Sequence, residues 1–267
     1  DDLTMLDYKA TIDEGSPAVT LFSPQGAPQP YFGQFGWVPI GELKVPDSDT
    51  VWQADHPSVQ PARPLTLSWD NGQGVRFIQV VEIDDNFMMT VTQRVENNST
   101  QAISTHPYGR IARTHTPNTL GFYILHEGPL AVFNETLKEV DYDDLQEGPA
   151  DATKSTGGWI GITDKYWLAA LIPDQKQPYT GTFRYSKPNK QDTYQADFMT
   201  QAPQLIAPGA TAQTVSHVFV GAKEVTLLDR YEEQLGIARF DLAVDFGWFY
   251  FLTKPLFFVL DYFFKML

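Results

Sequence analysis

A large antiparallel β-sandwich followed by a helical tail is the fold this sequence predicts. Strand-length runs with a period of two recur through roughly residues 1–222, and Pro and Gly clusters punctuate them at similar spacing. No helical periodicity intervenes before Lys223. Many short strands with no helices between them argue for antiparallel sheets packed face to face. The chain has 267 residues, enough to bury a substantial core. With 42% apolar, 13% aromatic and 19% charged residues, its composition is that of a globular protein.

The first stretch, residues 22–64, carries eight prolines between Pro24 and Pro64 and reads as long loops with short edge strands. Leu65 to Trp69 and Val75 to Ile83 follow as strands joined at Asp70-Asn71-Gly72, where Asn-Gly supplies the positive φ angles of a tight hairpin. Asp84-Asp85-Asn86 turns the chain into the next strand. There Phe87, Met89, Val91 and Val95 share one face, and Thr90, Thr92 and Arg94 the other. Further strands are expected at Gly121 to His126, Leu130 to Phe133, Gly158 to Thr163, Tyr166 to Ile172, Tyr179 to Tyr185, Thr193 to Thr200 and Thr211 to Val220. Asn97-Asn98-Ser99-Thr100 reads as a turn between strands, although it also matches a glycosylation acceptor, as does Asn134-Glu135-Thr136.

After Gly221 the pattern changes. Leu227, Leu228, Tyr231 and Leu235 fall on one side of a helix over Lys223 to Gly236, and Gly236 can end it. Three segments result: a β domain over 1–222, a helical tail and linker packed on it over 223–246, and an apolar segment over 247–267.

That last segment is the most informative. Thr253, Lys254, Asp261 and Lys265 are its only clearly polar residues. At about 100° per residue the three charges lie within roughly 40° of one another on a helix. A transmembrane span needs about 20 uninterrupted apolar residues, and the charges together with Pro255 argue against one. A core helix would leave a wide aromatic face to cover. An interfacial helix lying on a membrane, charged stripe to water, fits best. Trp248, Phe249, Phe251, Leu252, Leu256, Phe257 and Leu260 are expected at the membrane or the core, with Lys254 and Lys265 near head groups. On this reading Trp248→Glu plus Phe257→Glu abolishes liposome association and leaves the β domain folded.

Charge and composition exclude several functions. The net charge is −14, which a sheet of phosphates would repel, so no nucleic-acid partner is expected. Residues 247–267 are the exception, with two Lys against one Asp. There is no cysteine, hence no disulfide or thiolate metal site. The chain opens on Asp1 with no leader after it, and is expected to be a fragment or a processed chain.

Leu235-Gly236-Ile237, Phe240 through Trp248, and Phe251-Leu252-Thr253-Lys254-Pro255-Leu256 resemble the junction in YidC-type membrane protein insertases (the YidC/Oxa/Alb family). There a periplasmic domain hands over to an amphipathic helix and then to the membrane core. Gly157 through Trp167, Ile172-Pro173-Asp174 and Val218 through Glu224 resemble that domain's strands. The likeness covers essentially the whole chain, weakly before residue 60 and strongly after 155. It implies a β-supersandwich similar to galactose mutarotases, with a C-terminal helical extension, and a bacterial inner-membrane location with this domain facing the periplasm. It also implies an insertase and chaperone acting alone or with the Sec translocon and its accessory subunits on nascent membrane proteins. The implied domain is neither an enzyme nor a cofactor carrier, because the family's insertion groove lies among membrane spans outside these residues.

The mutarotase likeness raises a rival, a carbohydrate-binding or sugar epimerase protein. His106 or His217 would be its acid, and Glu82, Glu127 or Glu135 its base. No extended motif surrounds them, and no catalytic residue is assigned. His106, His115 and His126 lack metal-ligand spacing. Asp141, Asp143, Asp144 and Glu147 lack the glycine and ligand order of a calcium loop and read as a solvated acidic loop. No cofactor and no metal are expected. Phe32, Phe35 and Trp37 are candidates for a peptide or glycan surface, with core packing as the other reading.

Overall fold

The computed structural model describes residues 2–9, 13, 15–117, 119, 125–148, 150–245, 247 and 250–266. In chain order the strands begin with β1 (Leu3–Lys9), β2 (Ala18–Phe22), β3 (Tyr31–Pro39), β4 (Gln53–Ala54), β5 (Leu65–Asp70) and β6 (Val75–Ile83). Then come β7 (Met88–Asn97), β8 (Ile103–Thr114), β9 (Gly128–Phe133), β10 (Thr136–Glu139), helix α1 (Tyr142–Glu147) and β11 (Asp151–Thr156). The remainder are β12 (Gly158–Thr163), β13 (Trp167–Ile172), β14 (Pro178–Ser186), β15 (Thr193–Thr200), β16 (Gln204–Ile206), β17 (Thr211–Ala222), α2 (Val225–Leu235) and α3 (Tyr250–Met266).

Every strand pairing is antiparallel, so the fold is all-β with a helical end. One sheet has nine strands in the order β10-β9-β12-β13-β17-β7-β6-β5-β4. The other has six, β11-β14-β15-β8-β16 with β3 on β8, and β1 and β2 form a separate pair. Between the two sheets lies a core that includes Val91, Ile111, Ile160, Phe183, Tyr194 and Phe198. At its far end Trp37, Val75, Phe77, Val95 and Ile206 form a second cluster. Gln79 and Gln93, opposite each other on β6 and β7, reach from one sheet to the other. Their Nε2 atoms donate to the carbonyls of Phe35 (2.8 Å) and Gly36 (2.6 Å) of β3.

The outer face of the nine-stranded sheet is buried too. Met88, Trp159, Leu168, Ile172 and Phe219 meet Leu227, Leu228 and Tyr231 of α2, and Ile237, Phe240 and Ala243 beyond it. That is why both faces of β9, β12 and β13 are apolar, a run without alternation. Gly236 ends α2 in the left-handed region, φ 64°, where a side chain would be strained.

Three sequence expectations change, and a fourth falls mostly outside the described residues. Residues 22–64 hold β3, a nine-residue strand laddered to β8 over its whole length, where only short edge strands were expected. The β5–β6 connection is longer than a two-residue turn: Asn71 N donates to Val75 O, and Asn71 Oδ1 accepts from the amides of Gln73 and Val75. The acidic loop is the short helix α1, which sends Tyr142 and Leu145 into the core and its carboxylates to solvent. The strand expected at Gly121 to His126 falls largely on 121–124, outside the described residues.

Candidate interfacial site

α3 and the surfaces it touches make the candidate site. Leu256, Phe257, Val259, Leu260, Phe263 and Phe264 are 38% to 79% exposed. At about 100° per residue these six occupy one arc of roughly 160°. Lys254 lies on the opposite side of the helix, where its ammonium donates to Asp229 Oδ1 of α2 (3.0 Å) and to Asp241 Oδ2 (3.2 Å). Asp241 is further held by the Arg239 guanidinium at 3.4 Å, and its amide donates to Glu232 Oε2. Burial raises the Glu232 carboxyl above the usual carboxylate range, and the neighbouring Asp241 charge adds to this.

The charged side of α3 therefore meets carboxylates of its own domain at Lys254, where the sequence reading had it facing water beside head groups. The apolar arc points away. Pro255, one residue on, lies inside the helix, where it lacks an N–H for the ladder. Among the described residues no helix is long and apolar enough to cross a membrane. Phe251, Leu252 and Lys265 lie in α3, but their side chains are outside the described residues, as are Trp248 and Phe249 altogether.

A cleft of about 800 Å³ opens beside α3. Tyr8 and Lys9 of β1, Lys165 to Trp167 leading into β13, Ala222 to Thr226 from the end of β17 into α2, and Phe257 of α3 line it, with Leu125, Val244 and Asp245. Tyr8 packs edge-on against Trp167, ring centroids 5.1 Å apart, and its hydroxyl donates to Glu224 at 3.3 Å. Lys165 stands 4.8 Å over the Tyr166 ring. Lys223 donates to Thr163 Oγ1 at 3.0 Å. Sequence reasoning missed this cleft because its side chains come from segments far apart in the chain, none with a motif of its own.

The other candidates are dispersed. Phe32 and Trp37 are buried and Phe35 packs on the core, because β3, paired to β8 alone, turns these side chains toward the packed interior. His106 Nδ1 bonds the Thr200 carbonyl (2.8 Å) and His217 Nδ1 bonds Thr90 Oγ1 (3.0 Å). Register places Glu82, Thr90 and His217 in one row on β6, β7 and β17, so a strand separates carboxylate from imidazole. A small hollow of about 260 Å³ touches Glu82, Thr90 and Tyr231 but not His217. Glu127 accepts from the Lys165 amide, and Glu135 sits in the exposed β9–β10 turn. No acid–base pair faces a common cavity among the described residues, and no group of three metal-ligating side chains is present among them.

Comparison with known proteins places the chain among relatives. Residues 1–259 match the family described as YidC periplasmic domain. The chain is 44% identical over 277 residues to a protein named membrane protein insertase YidC from Methylorubrum extorquens, covering 100% of this chain and 45% of that protein. It is 40% identical over 267 residues to one of the same name from Rickettsia bellii, covering 99% of this chain and 48% of that one. The chain thus spans about half the length of the curated relatives it matches. Among solved structures it is similar to a galactose mutarotase related enzyme from Lactobacillus acidophilus, with TM-score 0.48 and 9% identity over 65% of this chain and 72% of that one.

Proposed function

Since this chain belongs to the YidC periplasmic domain family, we propose that it is the periplasmic part of an inner-membrane protein insertase, resting on the bilayer through α3. The observation that carries the reading is the direction of α3: its charged side is tied to the domain at Lys254, and its apolar arc is left outward. Half-exposed Leu, Val and Phe side chains each gain on the order of 1 kcal/mol on leaving water, so a row of them favours an interface. The β domain positions that helix. It does no chemistry of its own, and it serves as a contact surface for nascent membrane proteins and for the Sec translocon with its accessory subunits. As a chaperone it works alongside the membrane core and needs no cofactor.

Flotation with liposomes tests the bilayer contact. The chain rises with the vesicles, and Leu260→Glu plus Phe264→Glu leaves it at the bottom of the gradient with an unchanged melting temperature. Both side chains are more than half exposed, so the fold does not depend on them. Flotation of the double variant equal to the parent chain rejects α3 as the contact.

A further inference from the structure

The cleft beside α3 combines features that none of its elements has alone. Lys9, Lys165 and Lys223 converge on it in a chain whose net charge is −14. None of the three is in an ion pair with a carboxylate among the described residues. Two carboxylates also line the cleft, and both are engaged: Glu224 accepts from the Tyr8 hydroxyl, and Asp245 from the Gly247 amide. The apolar part of the lining includes four aromatic rings, those of Tyr8, Tyr166, Trp167 and Phe257.

We propose that this cleft receives the headgroup of an anionic phospholipid, with the phosphate between Lys9, Lys165 and Lys223 and the upper acyl chain beside Phe257. The proposal rests on α3 lying at the bilayer and extends that contact onto the β domain. Phe257 belongs to both surfaces, since it lines the cleft and lies in the exposed arc of α3. Tyr166 is 62% exposed at the same rim, and Tyr and Trp favour the headgroup layer, where the ring meets carbon and the polar edge meets water. Burial lowers the Lys223 ammonium from its usual range, and the charges of Asp164, Asp245, Glu127 and Glu139 only partly offset this. An anion docked there would supply a charged partner beside the Thr163 hydroxyl. A nucleic acid would have to approach the rest of a strongly acidic surface, whereas a lipid meets only this edge.

Flotation and a soluble titration together test it. The chain should bind phosphatidylcholine vesicles through α3 and bind phosphatidylcholine doped with phosphatidylglycerol more tightly. Each lysine removed should weaken the second by about fivefold and the first hardly at all. Lys9→Gln plus Lys165→Gln is the first variant, because Lys9 is exposed and Lys165 partly so; adding Lys223→Gln completes the series. Equal binding of the parent chain to the two vesicle types, or a phosphatidylglycerol preference that survives the double variant, overturns the proposal. If α3 is not a membrane helix, neither vesicle floats the chain. The cleft can still be read by titrating short-chain phosphatidylglycerol below its micelle concentration and following the amide resonances of Tyr166 and Lys223. Shifts that saturate and vanish in the double variant support the site. Glycerol phosphate giving equal shifts at equal concentration would show a free phosphate site and overturn the lipid assignment.

Discussion

Lys254 of α3 and Asp241, in the turn that follows α2, hold opposite charges 3.2 Å apart with only 18% and 10% of their side chains exposed. Asp229 joins from α2 at 3.0 Å. Removing Lys254 leaves Asp229, Asp241 and Glu232 close together without this cation. The cost lies between that of a surface ion pair and that of a buried one, about 1–3 kcal/mol. Lys254→Met is therefore expected to loosen α3 from the domain. Hydrogen exchange at residues 250–266 should accelerate while the β12, β13 and β17 amides stay protected, and Lys254→Arg should restore much of the slow exchange. Unchanged exchange in Lys254→Met would show that the ion cluster does not hold the helix.

The β9–β10 hairpin offers a stabilising change. Phe133 pairs with Thr136, leaving Asn134 and Glu135 as the two turn residues at φ 48° and 68°. Positive φ at both positions is what a two-residue type I′ turn requires, and glycine is preferred at the second. Glu135→Gly removes the strain of a side chain there but gives the unfolded chain more freedom. The net gain should be about 0.5–1 kcal/mol, or roughly 1–3 °C in melting temperature. A lower melting temperature would mean that the Glu135 side chain makes a contribution larger than its backbone strain.

Where the sequence spoke with one clear period, it was legible. The strands at β6, β7, β12, β13, β14, β15 and β17 and the helix α2 were all foreseen, because alternation or continuous apolar runs marked them. The central strand that the sequence reading leaves out is β8, which carries Pro107 and Gly109. In the fold β16 pairs β8 through Ile103–Thr105 and β15 through Tyr108–Thr114, so Pro107 falls in the gap between them. At Gly109 an added Cβ would lie 2.6 Å from the Phe198 ring and 2.9 Å from that of Phe35, so the glycine makes room for two neighbouring strands. The Asn134-Glu135 turn was seen only as a glycosylation match. The apolar character of α3 could be read directly, but its orientation could not: helical periodicity gives the angle between stripes and says nothing about which stripe meets Asp229 and Asp241.

His217 gives the pH dependence a defined sign. Burial under the strand row of Thr90 lowers its pKa from the model-peptide value of 6.5, so the folded protein keeps it neutral where the unfolded chain has begun to protonate. Below pH 6.5 the unfolded state then binds more protons, and stability falls as pH falls, with the full contribution present above that value. Most carboxylates titrate lower, so the window from pH 6.5 down to about 5 isolates histidines. The urea midpoint of the parent chain should decline across that window. His217→Gln, whose amide can still meet Thr90 Oγ1, should decline less steeply even if its midpoint at pH 8 is lower. Parallel slopes for the two chains would mean that the imidazole accepts its proton in place, with Thr90 turning its lone pair to the charged ring, and that burial at this position costs the cation little.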